Sequence, residues 1–188
     1  MSPEPIFQIH LVLGYVAWLL CFGAYILPWL KSMEPAAAHR AIATLHSFRF
    51  FGLVFMLPGV VGPDLPASFT TYTAYGDFAT GLLAMLALLT MRIPAVFRLF
   101  VVAFNLLGAA DLLVAYYHAV QIGLPARAGE LGATYAIPIL YVPLLMITHM
   151  VAFYFLLRPQ PKAARARVGE AATNPTGWRS SENQGVAP

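Results

Sequence analysis

Residues 41–60 read AIATLHSFRFFGLVFMLPGV, an apolar run of membrane length that contains His46 and Arg49. Three residues apart, these two side chains lie on one face of a helix. About 20 apolar residues cross the hydrocarbon of a bilayer, and a charge inside such a helix costs on the order of 2.5–3.5 kcal/mol on insertion scales. A guanidinium at this position needs a partner, and the search for it orders the reading of the rest of the chain.

The surrounding sequence is of the same kind. Its 188 residues are 60% hydrophobic and 10% charged, with a mean hydropathy of +0.71, whereas soluble domains carry roughly 25% charged residues. This composition predicts one integral membrane domain. The net charge of +3 does not indicate nucleic acid, because the basic residues stand between apolar runs instead of forming a patch. The partner they indicate is the lipid bilayer. The single cysteine, Cys21, excludes an intramolecular disulfide. No Gly-rich phosphate loop, CxxC, HExxH or nucleophile elbow occurs, which removes the enzyme classes those motifs mark.

Five apolar runs, 6–30, 41–60, 76–91, 97–120 and 136–157, predict an all-α fold: an integral membrane bundle of five transmembrane helices occupying 1–158. The leader MSPEP has no Lys or Arg and Lys31 follows the first run, so that run reads as a span and not as a cleaved signal peptide. Within it His10, Gly14, Ala17, Cys21 and Ala24 predict an inward face of small residues. Asp77 opens the third run and reads as a favourable charge at a helix N-terminus. In the fourth, Phe104, Gly108, Asp111, Ala115 and His118 align, and Asp111, with a small residue on either side, is the strongest partner for Arg49. The fifth holds Pro138, Pro143 and His149, with a kink expected at Pro143. Residues 159–188 are polar and rich in Ala and Pro, which predicts a disordered basic tail.

Charge placement gives the orientation. Lys31, Arg40, Arg92, Arg98 and the cations from Arg158 onward fall on one side of a five-span arrangement, and Arg127 alone on the other. The positive-inside rule then places the N-terminus outside and the C-terminus in the cytoplasm. At 1.5 Å per residue, Arg49 lies roughly 12 Å and Asp111 roughly 20 Å from the cytoplasmic ends of their helices, close enough for a long side chain to bridge.

Three readings of the intramembrane polar groups stay open. In one, Arg49 and Asp111 form an ion pair, hydrogen-bonded by Asn105 and the histidines, that fixes helix packing. In another, Arg49, Asp111, His46, Asn105 and His149 line a cavity that binds or moves a small molecule or relays protons, with a homo-oligomer completing so small a transporter. In the third, histidines matched in depth, His46 with His149 and His10 with His118, are axial ligands of b-type haem. A binding protein predicts a route to Asp111 from one side; a haem protein predicts His pairs facing a flat cavity. For an isolated Arg49–Asp111 pair, replacing both residues costs less than replacing Asp111 alone.

From Phe48 to Asp111 the residues FRFFGLVFMLPGVV, then an acid opening the run GDFATGLLAMLALL, then the basic turn MRIPAVFR and a further run resemble the DoxX-like family of small bacterial membrane proteins. Arg49, Gly52, Phe55 and Gly59 stand where that family has its Arg, Gly, aromatic and Gly. Asp77 replaces the usual Glu, the basic residue after the second Gly is missing, and that family usually spans four times. The resemblance implies a bacterial inner membrane location and a redox subunit in contact with quinone.

Overall fold

The computed structural model describes residues 2–158; the expected tail, 159–188, lies outside them. By its internal contacts the chain divides into Met1–Leu156 and Leu157–Pro188, and the site lies wholly in the first unit. The described residues form helices and no strand. Four helices are long and apolar enough to cross a membrane: α1 (Pro3–Ser32), α3 (Ala67–Leu89), α4 (Pro94–Gln121) and α5 (Ile137–Leu157).

The stretch 41–60 takes a different form. Helix α2 (Pro35–Ser47) passes directly into a 3₁₀ helix, Phe48–Met56, and the chain leaves helical geometry at Leu57, just before Pro58 and the positive-φ Gly59. Three residues per turn eclipse positions i and i+3, and the buried residues of this segment are Arg49, Gly52 and Phe55. Phe48, Phe50 and Phe51 face outward. The combined segment is anchored by contacts at both ends. At its start the ring of His39 packs edge-on against Phe155, close to where Lys31 caps the ring of Tyr154. Beyond its end Gly62 donates to the Glu130 carbonyl at 2.7 Å and Arg127 to the Asp64 carbonyl at 3.0 Å.

Helix α3 departs from expectation at its start. It begins after Pro66 and not at Gly76, so Asp77 stands ten residues inside the helix and is no N-terminal charge. The polar residues 67–75 resemble a loop in composition, yet Thr70 returns its hydroxyl to the Ala67 carbonyl at 3.1 Å, which lets such residues sit in a helix. In α1 the buried line is Phe7, Gly14, Phe22 and Leu30, while His10, Ala17 and Ala24 are exposed; of the expected small-residue face only Gly14 is buried. A methyl group there would strike the Ile139 carbonyl, the group that Pro143 leaves without its i+4 donor. A π-helical turn, Ile137–Tyr141, precedes Pro143, as another, Phe22–Ile26, precedes Pro28. Such turns are how helices absorb a residue without an N–H. The 3₁₀ segment Leu124–Tyr135, expected to be a plain loop, folds Leu124, Ala128 and Leu131 over one end of the bundle.

Two apolar cores result. One gathers Leu30, Ile42, Phe97, Val101, Phe104 and Phe155; the other gathers Phe7, Phe55, Leu65, Phe69, Leu131 and Ile137. Between them lies a layer of buried polar side chains.

Candidate functional site

Arg49 is the centre of that layer and is fully buried. Its Nη2 donates to Asp111 Oδ2 at 2.6 Å, the pairing the sequence suggests. Its Nε donates to Asp77 Oδ1 at 2.7 Å, a second carboxylate the sequence reading places elsewhere. Both distances are those of charge-assisted bonds. Nη1 donates to the Gly108 carbonyl and to His149 Nε2, both at 3.3 Å. One guanidinium thus ties α3, α4 and α5 to the 3₁₀ segment.

Glycines make this approach feasible. A Cβ at Gly52 would overlap the Asp77 carboxylate, one at Gly76 would overlap Asp111 Oδ1, and one at Gly108 would stand 2.6 Å from both Arg49 Nη1 and His149 Nε2. Each ionic side chain therefore rests on bare backbone of a neighbouring element, which side chains at these positions would prevent.

Hydrogen-bond partners fix the histidine tautomers. Arg49 can only donate, so His149 Nε2 accepts and Nδ1 carries the hydrogen, donating to Asn105 Oδ1 at 2.9 Å. Asn105 in turn donates to the Val101 carbonyl at 2.7 Å. His46 Nε2 meets Thr148 Oγ1 at 3.0 Å, and because that hydroxyl donates to the Leu144 and Leu145 carbonyls, Nε2 is the donor. His46 Nδ1 is buried with no partner. All five residues of the anticipated cluster, Arg49, Asp111, His46, Asn105 and His149, are brought together, and Asp77 joins them. The signal for Asp77 was available: Asp77, Gly81 and Ala84 share one helical face, and all three are buried.

The histidine pairs do not fit b-type haem. The rings of His46 and His149 stack with centroids 4.1 Å apart, which leaves no slot for a macrocycle between them, and both nitrogens of His149 are engaged within the protein. His10 bonds through Nδ1 to the Tyr135 hydroxyl at 2.9 Å, while His118 packs against Tyr72 and Tyr117; the two have separate neighbours. No group of three or more His, Cys, Asp or Glu with metal-holding geometry occurs among the described residues.

Besides His46 Nδ1, one carboxylate oxygen of the layer is left over. Asp111 Oδ1 is buried and has no hydrogen-bond partner, although Oδ2 is bound to Arg49. Asp111 forms part of the wall of a cleft of about 750 Å³ between the N-terminal half of α3 and the middle of α4, lined also by Ser68, Thr71, Tyr72, Tyr75, Gly76 and Leu107. That volume falls within the range of small-molecule sites. Buried acceptors without partners are uncommon in folded proteins, and here the unmatched one adjoins an opening.

Residues 6–157 match the model of a protein family described as Domain of unknown function (DUF8737). No curated protein and no solved structure matches the chain.

Proposed function

Starting from a chain that belongs to the DUF8737 family, we propose a five-span inner-membrane protein that binds a small molecule beside the Arg49–Asp77–Asp111 centre, through the cleft between α3 and α4. The observation that carries this reading is the unmatched Oδ1 of Asp111 at the wall of the cleft. A centre serving helix packing alone has no need of an unsatisfied acceptor next to an opening.

The fifth span is the α2–3₁₀ segment. Its 13 and 9 residues, at 1.5 and 2.0 Å rise, extend about 37 Å when collinear, against a hydrocarbon thickness of about 30 Å. With this segment crossing, Lys31 and Arg98 share the cytoplasmic end and Arg127 the outer one, as the positive-inside rule requires. The mouth of the cleft, at the start of α3, then faces the outer half of the bilayer. Alkaline phosphatase fused after Pro63 is expected to be active and a fluorescent protein fused after Arg158 to be fluorescent; the opposite pattern refutes the orientation.

Binding is tested by thermal-shift screening of small molecules on protein in nanodiscs, with Leu107→Trp as a blocked-cleft control. Leu107 lines the cleft and is 41% exposed, so the larger ring fills the opening without entering either core. Compounds that bind there stabilise the parent by RT ln(1 + [L]/Kd), about 2.7 kcal/mol at a hundredfold excess over Kd, and leave Leu107→Trp unchanged. A screen whose hits act equally on both proteins refutes the site.

A further inference from the structure

We infer that the ligand of this cleft is an organic ammonium with a compact apolar or aromatic body, an inference that rests on the cleft being a binding site. Three observations lead to it.

The first is charge. At formal charges the buried centre holds one guanidinium and two carboxylates, joined by the two ion pairs of Arg49, and His149 is neutral in the tautomer its partners dictate. The sum is one negative charge in a layer bounded by apolar cores. A buried charge without a counterpart is unfavourable by several kcal/mol in real proteins, and Arg49 has no donor directed to Asp111 Oδ1. A ligand carrying one positive charge balances the centre.

The second is hydrogen bonding. Oδ1 of an ionised carboxylate only accepts, so the group that meets it must donate. An ammonium carries both the donor and the charge.

The third is the lining. Tyr72 and Tyr75, one helical turn apart on α3, line the cleft, and its wall is chiefly apolar. Aromatic faces attract cations within about 6 Å of the ring centroid, and the apolar wall accepts the body of an amphipathic amine. Tyr72 stands one turn before Gly76, whose bare backbone brings Asp111 Oδ1 against α3. Tyr72 at the cleft and the buried Asp111 Oδ1 behind Gly76 are therefore one helical turn apart along α3. A free carboxylate ligand would add a third negative group beside Asp111 and is disfavoured by the same charge count.

The test uses 2-phenylethylammonium and its neutral counterpart 2-phenylethanol as probes, with binding to the full chain in nanodiscs measured by calorimetry at neutral pH. The ammonium is expected to bind at least tenfold more tightly than the alcohol, to lose at least tenfold in Asp111→Asn, and to lose all measurable binding in Leu107→Trp. Asp111→Asn retains the Arg49–Asp77 pair and so keeps a neutral, folded centre, which circular dichroism verifies. Equal binding of the two probes, both abolished by Leu107→Trp, overturns the ammonium inference and leaves the cleft as a site for neutral ligands. Equal binding of the ammonium to wild type and Asp111→Asn also overturns it. Binding of neither probe, or binding indifferent to Leu107→Trp, overturns the inference and the reading of the cleft together.

Discussion

Arg49→Gln is the substitution with the largest predictable consequence. Arg49 is fully buried, and the carboxylates it serves at 2.7 and 2.6 Å have side chains only 6% and 3% exposed. Glutamine removes the positive charge and leaves two acids of the same layer without a counter-ion, while the Gly108 carbonyl and His149 Nε2 lose a donor. Removing one partner of a buried ion pair costs about 3–5 kcal/mol, which for a chain of this size lowers Tm by roughly 6–20 °C at about 2–4 °C per kcal/mol. Asp111→Asn is milder: the charge-assisted bond it loses, about 1–2 kcal/mol, is offset by removal of the uncompensated negative charge, since one guanidinium is left on one carboxylate. The informative variants combine these. Were the Arg49–Asp111 pair isolated, the double variant would recover stability relative to Asp111→Asn. The bond to Asp77 reverses that expectation, because Arg49→Gln with Asp111→Asn still strands the Asp77 carboxylate. Only the triple change that adds Asp77→Asn removes every unpaired charge, and it should exceed the double variant by at least about 2 kcal/mol. Thermal unfolding of the variants in one detergent reads the order. A double variant as stable as Asp111→Asn refutes the three-residue centre.

Further outcomes follow from the same geometry. Gly108→Ala places a methyl 2.6 Å from Arg49 Nη1 and His149 Nε2, and a destabilisation of about 1–3 kcal/mol, typical of overpacking, should appear as a lower unfolding temperature; an unchanged Tm contradicts the close approach. The detergent-purified protein should show no Soret band before or after dithionite, because His46 and His149 stack at 4.1 Å; a band lost in His149→Ala would refute this and restore the redox role that the DoxX-like resemblance implies.

Much of the candidate site is legible in the sequence, because a guanidinium in a membrane-length apolar run requires an acid and Asp111 has small neighbours on both sides. Asp77 was hidden by a boundary. Thr70, Thr71 and Thr73 make residues 67–75 look like a loop, and Asp77 then looks like the start of a helix; in the structure the hydroxyl of Thr70 is satisfied within the helix and Asp77 falls on the buried face. The 3₁₀ geometry was also concealed. Arg49, Gly52 and Phe55 repeat every three residues, yet a spacing of three also joins neighbours on one face of an α-helix, and runs of 3₁₀ longer than 3–4 residues are uncommon. The stacking of His46 on His149 lies beyond any depth argument, since matched depth is equally compatible with rings facing across a slot and rings in contact.

The 3₁₀ geometry has a consequence for the charge at Asp111. An α-helix turns about 100° per residue, so Arg49, Gly52 and Phe55 would drift by about 60° at each step of three and about 120° across six positions; three residues per turn bring them into line. The guanidinium and the Gly52 gap that receives Asp77 therefore face α3 together, and Phe55 closes the core beyond them. Asp77 is held by a bare backbone position and by Nε, while Asp111 is held by Nη2 through one oxygen only. Nη1 is committed to the Gly108 carbonyl and His149, and neither it nor Nη2 makes a bond to the second oxygen of Asp111. The arrangement that locks three helices onto the 3₁₀ segment is thus the same one that leaves an acceptor beside the cleft. In the proposed function, helix packing and ligand binding are therefore not competing uses of this centre: the bonds that pack the helices leave Asp111 Oδ1 without a partner, and that oxygen is the one assigned to the ligand.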